Sequence, residues 1–312
     1  AYYGAGVATS LGMDEGEAPF DLREDPVEGA ALGLTAGRGI TRPEPGRSEV
    51  PFWVNTPEEA REAVRELADD HVDLVKIWVD DRGGQYEKLT PELFGAIVDE
   101  AHAHDLRVTA HIFLLEDAKA LLRAGVDAFA HGVRDQVVDE EFLELAADRP
   151  DFVYVPNLPA SGIDTDLDWL SGTVSAESLQ AMEEGDGPGP DALEGFRIQA
   201  ENLDLVHRAG VTVGFGTDGS SPWAAHLEME DMVAAGMPPG DVVVAATGTS
   251  ARLLGLDDRG TIEAGHRADF LVLAANPLDD ITNTRQVEAV YLGGVPMDRA
   301  ATAQEVGEAE GG

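Results

Sequence analysis

The chain has 312 residues, 43% of them hydrophobic, enough for one large α/β domain or a barrel with a small appendage. It carries 60 acidic against 21 basic residues, a formal net charge of −39, which repels nucleic acid and anionic membranes as partners. It has no cysteine, which excludes disulfides and thiolate metal sites, and no apolar run reaches the roughly 18 residues of a membrane helix. The acid is spread along the chain, a pattern suited to high salt, and points to a salt-tolerant or halophilic source. No signal segment is visible; the compartment is left open, cytoplasmic if none precedes Ala1.

In chain order, residues 6–11 (GVATSL) and 31–40 (ALGLTAGRGI) predict strands. Residues 72–79 (VDLVKIWV) predict the next. Thr90 and Pro91 then open a helix to about His104, Thr90 as its cap. Strands follow at 107–113 (RVTAHIF), 127–131 (DAFAH), 151–157 (DFVYVPN) and 211–216 (VTVGFG). Helices are expected at 116–124, 139–147, 193–208, 224–235 and 241–254. Alternation of helices with near-continuously apolar strands predicts a parallel sheet buried on both faces. Seven strands are one short of a closed eight-stranded barrel.

Residues 158–192 form a long acidic connection on the C-terminal side of a strand, where a lid is expected. After the last helix, residues 260–265, 268–273 and 287–292 read as short strands with glycine turns. The expected division is a barrel at 1–256, part of a β-sandwich at 257–298, and a disordered tail at 299–312.

Four polar residues interrupt the apolar strands or end them: Lys76 in LVKIWV, His111 in VTAHIF, His131 in DAFAH and Asp218 in GFGTD. A titratable group in a buried strand is costly unless paired or bound to metal. All four fall towards strand C-terminal ends, where barrel active sites converge. Two imidazoles, a carboxylate and a buried lysine suit a divalent cation.

These motifs, VKIWVDD, TAHIF, FAHGV and GFGTDG, resemble the amidohydrolase superfamily, closest to its imidazolonepropionase-like and Xaa-Pro-dipeptidase-like branch. The stretch from Ala245, ATGTSARLLGLDDRGTIEAGHRADFLVLAANPLDDI and on to VEAVYLGG, is similar to the end of that branch, where the chain passes back into a β-sandwich. The resemblance implies a (β/α)₈ barrel of the TIM type and a metal-dependent hydrolase acting on a small-molecule amide, dipeptide or cyclic amide. It implies two divalent metals, zinc foremost, bridged by Lys76 as a carboxylated lysine. His111 and His131 would be ligands, and Asp218 both ligand and general acid/base. Lactone, ester or phosphotriester hydrolysis on the same scaffold stays open, as does a non-catalytic scaffold.

The family pattern also expects a His-x-His pair on strand one, where i and i+2 share a face. No such pair precedes Tyr2. The expectation is that an N-terminal segment bearing strand one, those histidines and the first sandwich strands is lacking. The exposed seam would then favour self-association into a homo-oligomer. His102 and His104 sit roughly 200° apart at a helix end and cannot chelate together. His71, His207 and His266 read as surface residues. His226, near a helix start, is a candidate for binding a substrate carboxylate. Phe113, two residues past His111, is expected to face the same way, towards substrate.

Overall fold

The computed structural model describes residues 1–158, 166–183, 190–219 and 221–303. Its centre is a parallel sheet built from β3 (Ile40–Thr41), β4 (Phe52–Trp53), β5 (Val75–Val79), β6 (Val108–Ile112), β7 (Ala128–Ala130), β8 (Val153–Val155) and β9 (Thr212–Val213). Among the described residues the order is β4-β3-β5-β6-β7-β8-β9, and every pairing is parallel. Such a sheet must be covered on both faces, which accounts for the unbroken apolar runs. Val75, Ile77 and Val79 are fully buried, as are Val108, Ala110 and Ile112.

β1 (Val7–Ser10) and β2 (Leu32–Thr35) pair with each other in parallel, as a separate two-stranded sheet. One backbone bond, from Asp73 N to Thr35 O at 2.9 Å, ties β2 to the approach to β5. The span 31–40, expected as one strand, is therefore two. Gly37 breaks it with φ of 57°, a left-handed turn, and a Cβ there would meet Val72 at 3.0 Å. β4 and two helices, α1 (Ala18–Glu24) and α2 (Pro57–Asp69), lie outside the expected elements. The buried stripe of α2 is narrow: Ala60, Ala63, Val64 and Leu67.

The remaining helices on the sheet are α3 (Pro91–Ala103), α4 (Leu115–Ala124) and α5 (Glu140–Ala147). Their starts are set locally. Thr90 accepts from Leu93 N, with Pro91 in the first turn, and Asp139 accepts from Phe142 N. Gly125, left-handed at φ 95°, ends α4. Further on come α6 (Ala176–Glu183), α7 (Pro190–Arg208), α8 (Ala224–Ala234), α9 (Pro239–Val244) and α10 (Ser250–Leu253). The expected helix at 241–254 is not uniform, because a π turn at Ala245–Thr249 separates α9 from α10.

The appendage is an antiparallel sheet of β10 (Phe270–Leu273), β11 (Val287–Leu292) and β12 (Val295–Pro296). Residues 159–165 and 184–189 of the expected lid, and 304–312 of the expected tail, lie outside the described residues. Arg299, the first residue of the expected tail, is among the described residues. The Arg299 guanidinium stands 4.3 Å over the Tyr2 ring and bonds to Val287 O. Tyr3 packs edge-on against Trp169 and Trp223 and hydrogen-bonds the Thr173 hydroxyl, so the first residues are held by late ones.

Candidate metal centre and active site

Lys76 is the second residue of β5, and His111 the fourth of β6, in register with Trp78. His131 directly follows β7, and Asp218 lies five residues beyond β9. The structure brings the four together. The His111 and His131 rings meet edge-on with centroids 4.8 Å apart. His131 Nδ1 lies 3.5 Å from Asp218 Oδ2. Lys76 lies close enough to act electrostatically on Asp218, His111 and His131.

Burial governs their protonation. It pulls the Lys76 amine down to about 7; Asp218 opposes this, and Arg134 and Arg82 add to it. Burial also lowers His111 to about 4, against its hydrogen bond to the Asp80 carboxylate. His131 falls well below the usual imidazole range through burial, then through Lys76 and His111. Burial raises the Asp218 carboxyl, with Lys76 and Arg134 opposing. At neutral pH both imidazoles are unprotonated, the state a metal ligand requires.

Four residues outside the sequence-based candidates, Asp80, Arg82, Glu44 and Asn202, complete the surroundings. Asp80 Oδ2 contacts His111 Nε2 at 3.0 Å and receives Arg82 Nη1 at 2.8 Å. Arg82 Nε reaches Glu44 at 3.1 Å. The hydrogen bonds from His111 and Arg82 outweigh burial and hold Asp80 well below the usual carboxylate range. Arg82 Nη1 also lies 3.2 Å from His111 Nε2, so this ring nitrogen meets both the carboxylate and the guanidinium. Asn202 on α7, fully buried, fixes the loop after β7. It donates to Val133 O and Gln136 O and accepts from Val138 N, at 2.8–3.1 Å.

The two neighbouring neutral imidazoles, His111 and His131, are a donor pair that suits a divalent cation. His131 Nδ1 is buried and has no hydrogen-bond partner, an arrangement that is costly unless something fills it. Among the described residues no three His, Asp or Glu side chains gather at ligand spacing.

His226 is not brought to this cluster. Its Nδ1 meets Thr284 Oγ1 at 3.1 Å and its Nε2 meets Tyr3 O at 3.0 Å, so both ring nitrogens are taken. The expected carboxylate contact is corrected on that ground: the residue joins the N-terminal segment to the appendage. Phe113 is 41% exposed, because β6 ends at Ile112 and strand alternation does not extend to it. His102 and His104 take different partners, Asp127 and Glu100. His207 pairs with Asp241, and His266 with Thr261.

The model of the amidohydrolase family matches residues 4–297. The chain belongs to the amidohydrolase family. An uncharacterised protein of Mycobacterium tuberculosis is 31% identical to this amidohydrolase over 259 residues, 78% of this chain and 63% of that one. Ochratoxinase of Aspergillus niger is 25% identical over 297 residues, 84% of this chain and 57% of that one. A crystal structure of a Xaa-Pro dipeptidase with bound methionine is similar with a TM-score of 0.75 and 25% identity, over 95% of this chain and 76% of that chain. This amidohydrolase thus has the parallel α/β architecture of the barrel enzymes of its family, with a small antiparallel sheet added. It spans less than two thirds of the length of the first curated relatives it matches.

Proposed function

We propose that this amidohydrolase serves the hydrolysis of a carbon–nitrogen bond in a small amide or dipeptide, with Lys76, His111 and His131 as ligands of a divalent metal and Asp218 as the proton carrier. The observation that supports this most is the buried, unpartnered His131 Nδ1, with Asp218 Oδ2 3.5 Å away and the His111 ring beside it. The name of the Xaa-Pro dipeptidase neighbour supports the bond type.

Zinc held there would supply Lewis-acid polarisation of a carbonyl and a lowered pKa for attacking water. The chain's residues do the rest. The Lys76 amine, near-neutral at about 7, can add to carbon dioxide, lose a proton and become an anionic carbamate oxygen donor. Asp80 orients the His111 ring through its contact with Nε2. Asp218, raised by burial yet facing Lys76 and Arg134, is set to take the proton of water on Oδ2 and return it to the departing amine nitrogen.

The test is elemental analysis of the purified chain alongside a hydrolysis screen of dipeptides, N-acyl amino acids, lactones and phosphotriesters. The expected result is tightly held zinc, lost in His131→Ala and Lys76→Ala, with cleavage confined to the amide and dipeptide members. Zinc retained by both variants, or cleavage confined to esters and phosphotriesters, would overturn the reading.

A further inference from the structure

Beside Asp218 opens a pocket of about 350 Å³, lined among others by Asn157, Gln199, Thr217 and Glu228. This is at the small end of ligand sites, which run from about 300 to 1,000 Å³. We infer that Asn157 is a further catalytic residue, whose side-chain N–H donates to the carbonyl oxygen of the bond cleaved at Asp218. The inference rests on the hydrolytic reading above and adds to it one contact with the reacting group.

The geometry is specific. Asn157 lies two residues past β8, at the same end of the sheet as His131 and Asp218. Its backbone is left-handed, at φ 45°, which Asn tolerates better than most residues. Both neighbours are clamped. Pro156 O accepts from Gly132 N at 3.1 Å, and Leu158 N donates to buried Glu228 at 3.0 Å. The side-chain amide lies flush against Gly216, two residues before Asp218. A Cβ on Gly216 would come within 3.2 Å of Asn157 Nδ2 and 3.4 Å of its Oδ1. The φ of Gly216 is not left-handed, so what glycine supplies there is room for that amide.

An amide fixed this firmly has nothing to hold. Asn157 is 8% exposed, yet among the described residues its side chain makes no hydrogen bond. A buried polar group without a partner is costly, and one that lines a pocket is kept for a ligand. Gln199, the other amide of the wall, is occupied: Oε1 accepts from Arg134 Nε and Nε2 donates to Gly195 O. The reaction supplies the acceptor. As the water oxygen bonds to the carbonyl carbon, the π pair of the C=O moves onto oxygen and Asp218 takes the water proton. When the C–N bond breaks, that pair returns and the proton passes to the amine nitrogen. A fixed donor at that oxygen is worth more while the charge is on it than before, so it lowers the barrier rather than tightening substrate binding.

The experiment compares zinc-loaded wild type, Asn157→Gly and Asn157→Asp in two ways. Turnover is measured on N-acetyl-L-phenylalanine and L-alanyl-L-phenylalanine. Calorimetric binding is measured for N-methylphosphonyl-L-phenylalanine, in which a tetrahedral phosphorus replaces the attacked carbon. Glycine adopts a left-handed φ without strain, so Asn157→Gly keeps the turn and removes only the amide. Its kcat should fall about 10²–10³-fold with KM nearly unchanged, and its affinity for the phosphonyl compound should fall by about 10²-fold. Unchanged kcat and phosphonyl affinity in Asn157→Gly would mean that the residue serves only the turn, and would overturn the inference. A loss carried by KM alone overturns it too. If Asn157→Gly does not fold, Asn157→Asp decides, since it keeps the shape but has no N–H to give: a wild-type kcat at the plateau of its pH profile overturns the inference. Phosphonyl affinity that depends on Asn157, with neither amide cleaved by wild type, leaves the contact standing and counts against the hydrolytic reading instead. Wild type that neither cleaves the amides nor binds the phosphonyl compound overturns both.

Discussion

Asp80 and His111 are joined across neighbouring strands by a contact of 3.0 Å between Oδ2 and Nε2. A carboxylate on the far nitrogen of a ligand imidazole fixes its tautomer and ring orientation. On the proposed metal-binding reading, Asp80→Ala should weaken zinc affinity by about 10–100-fold. Competition with a chromogenic chelator reads this directly, and an unchanged affinity would show that His111 is oriented by something else.

Gly132, between His131 and Arg134, has no room for a side chain. A Cβ there would overlap the Tyr154 hydroxyl, which is buried and has no hydrogen-bond partner. Gly132→Ala should cost about 1–3 kcal/mol and lower activity, because the loop bearing His131 must shift. Adding Tyr154→Phe should restore much of both, since it removes the obstructing atom. Chemical denaturation of the double-mutant cycle checks this. If the two substitutions simply add, the clash is not the cause.

Asn202 supplies three hydrogen bonds to the 133–138 segment from a fully buried position. Asn202→Ala leaves a buried N–H and two carbonyls without partners, at a cost of about 2–4 kcal/mol. Amide exchange at Val138 should accelerate more than exchange in β5, marking the damage as local. Uniform acceleration throughout the sheet would contradict that placement.

Asp231 on α8 is 3% exposed, and its Oδ2 has no partner. Burial, with Glu230 adding to it, holds the carboxyl up at about 7. The folded value exceeds the unfolded one, so this group's contribution to stability is complete below the ordinary carboxyl range and is lost as pH rises through 7. Asp231→Asn should stabilise the protein by about 1–3 kcal/mol at pH 8 and change little at pH 4. Thermal melts across that range test the slope. A variant that follows wild type at every pH would refute it.

The metal-site candidates were legible because each places a titratable group in or at the end of an apolar strand, where chemistry is the reason to tolerate it. Asp80 is also at a strand end, but the run Asp80-Asp81-Arg82 reads as a solvated turn. Arg134 and Asn202 could not be read from periodicity. They act on partners about 65 residues away in sequence, Gln199 for one and the loop at 133–138 for the other. β3 and β4, at two residues each, are too short to show an alternation. The helix over Thr90 and Pro91 was legible because its cap is local chemistry. His226 misled for the opposite reason: a helix-start position suggests an anion, while its actual partners, Tyr3 and Thr284, lie 223 and 58 residues away.

The anchoring of Tyr2 and Tyr3 by Trp169, Trp223, His226 and Arg299 joins positions as far as 297 residues apart. Contacts of such separation carry a loop-closure cost that local strand–helix units do not, so this seam should close after the units around β5 to β8 have formed. Until it closes, its aromatic side chains are a surface open to premature association.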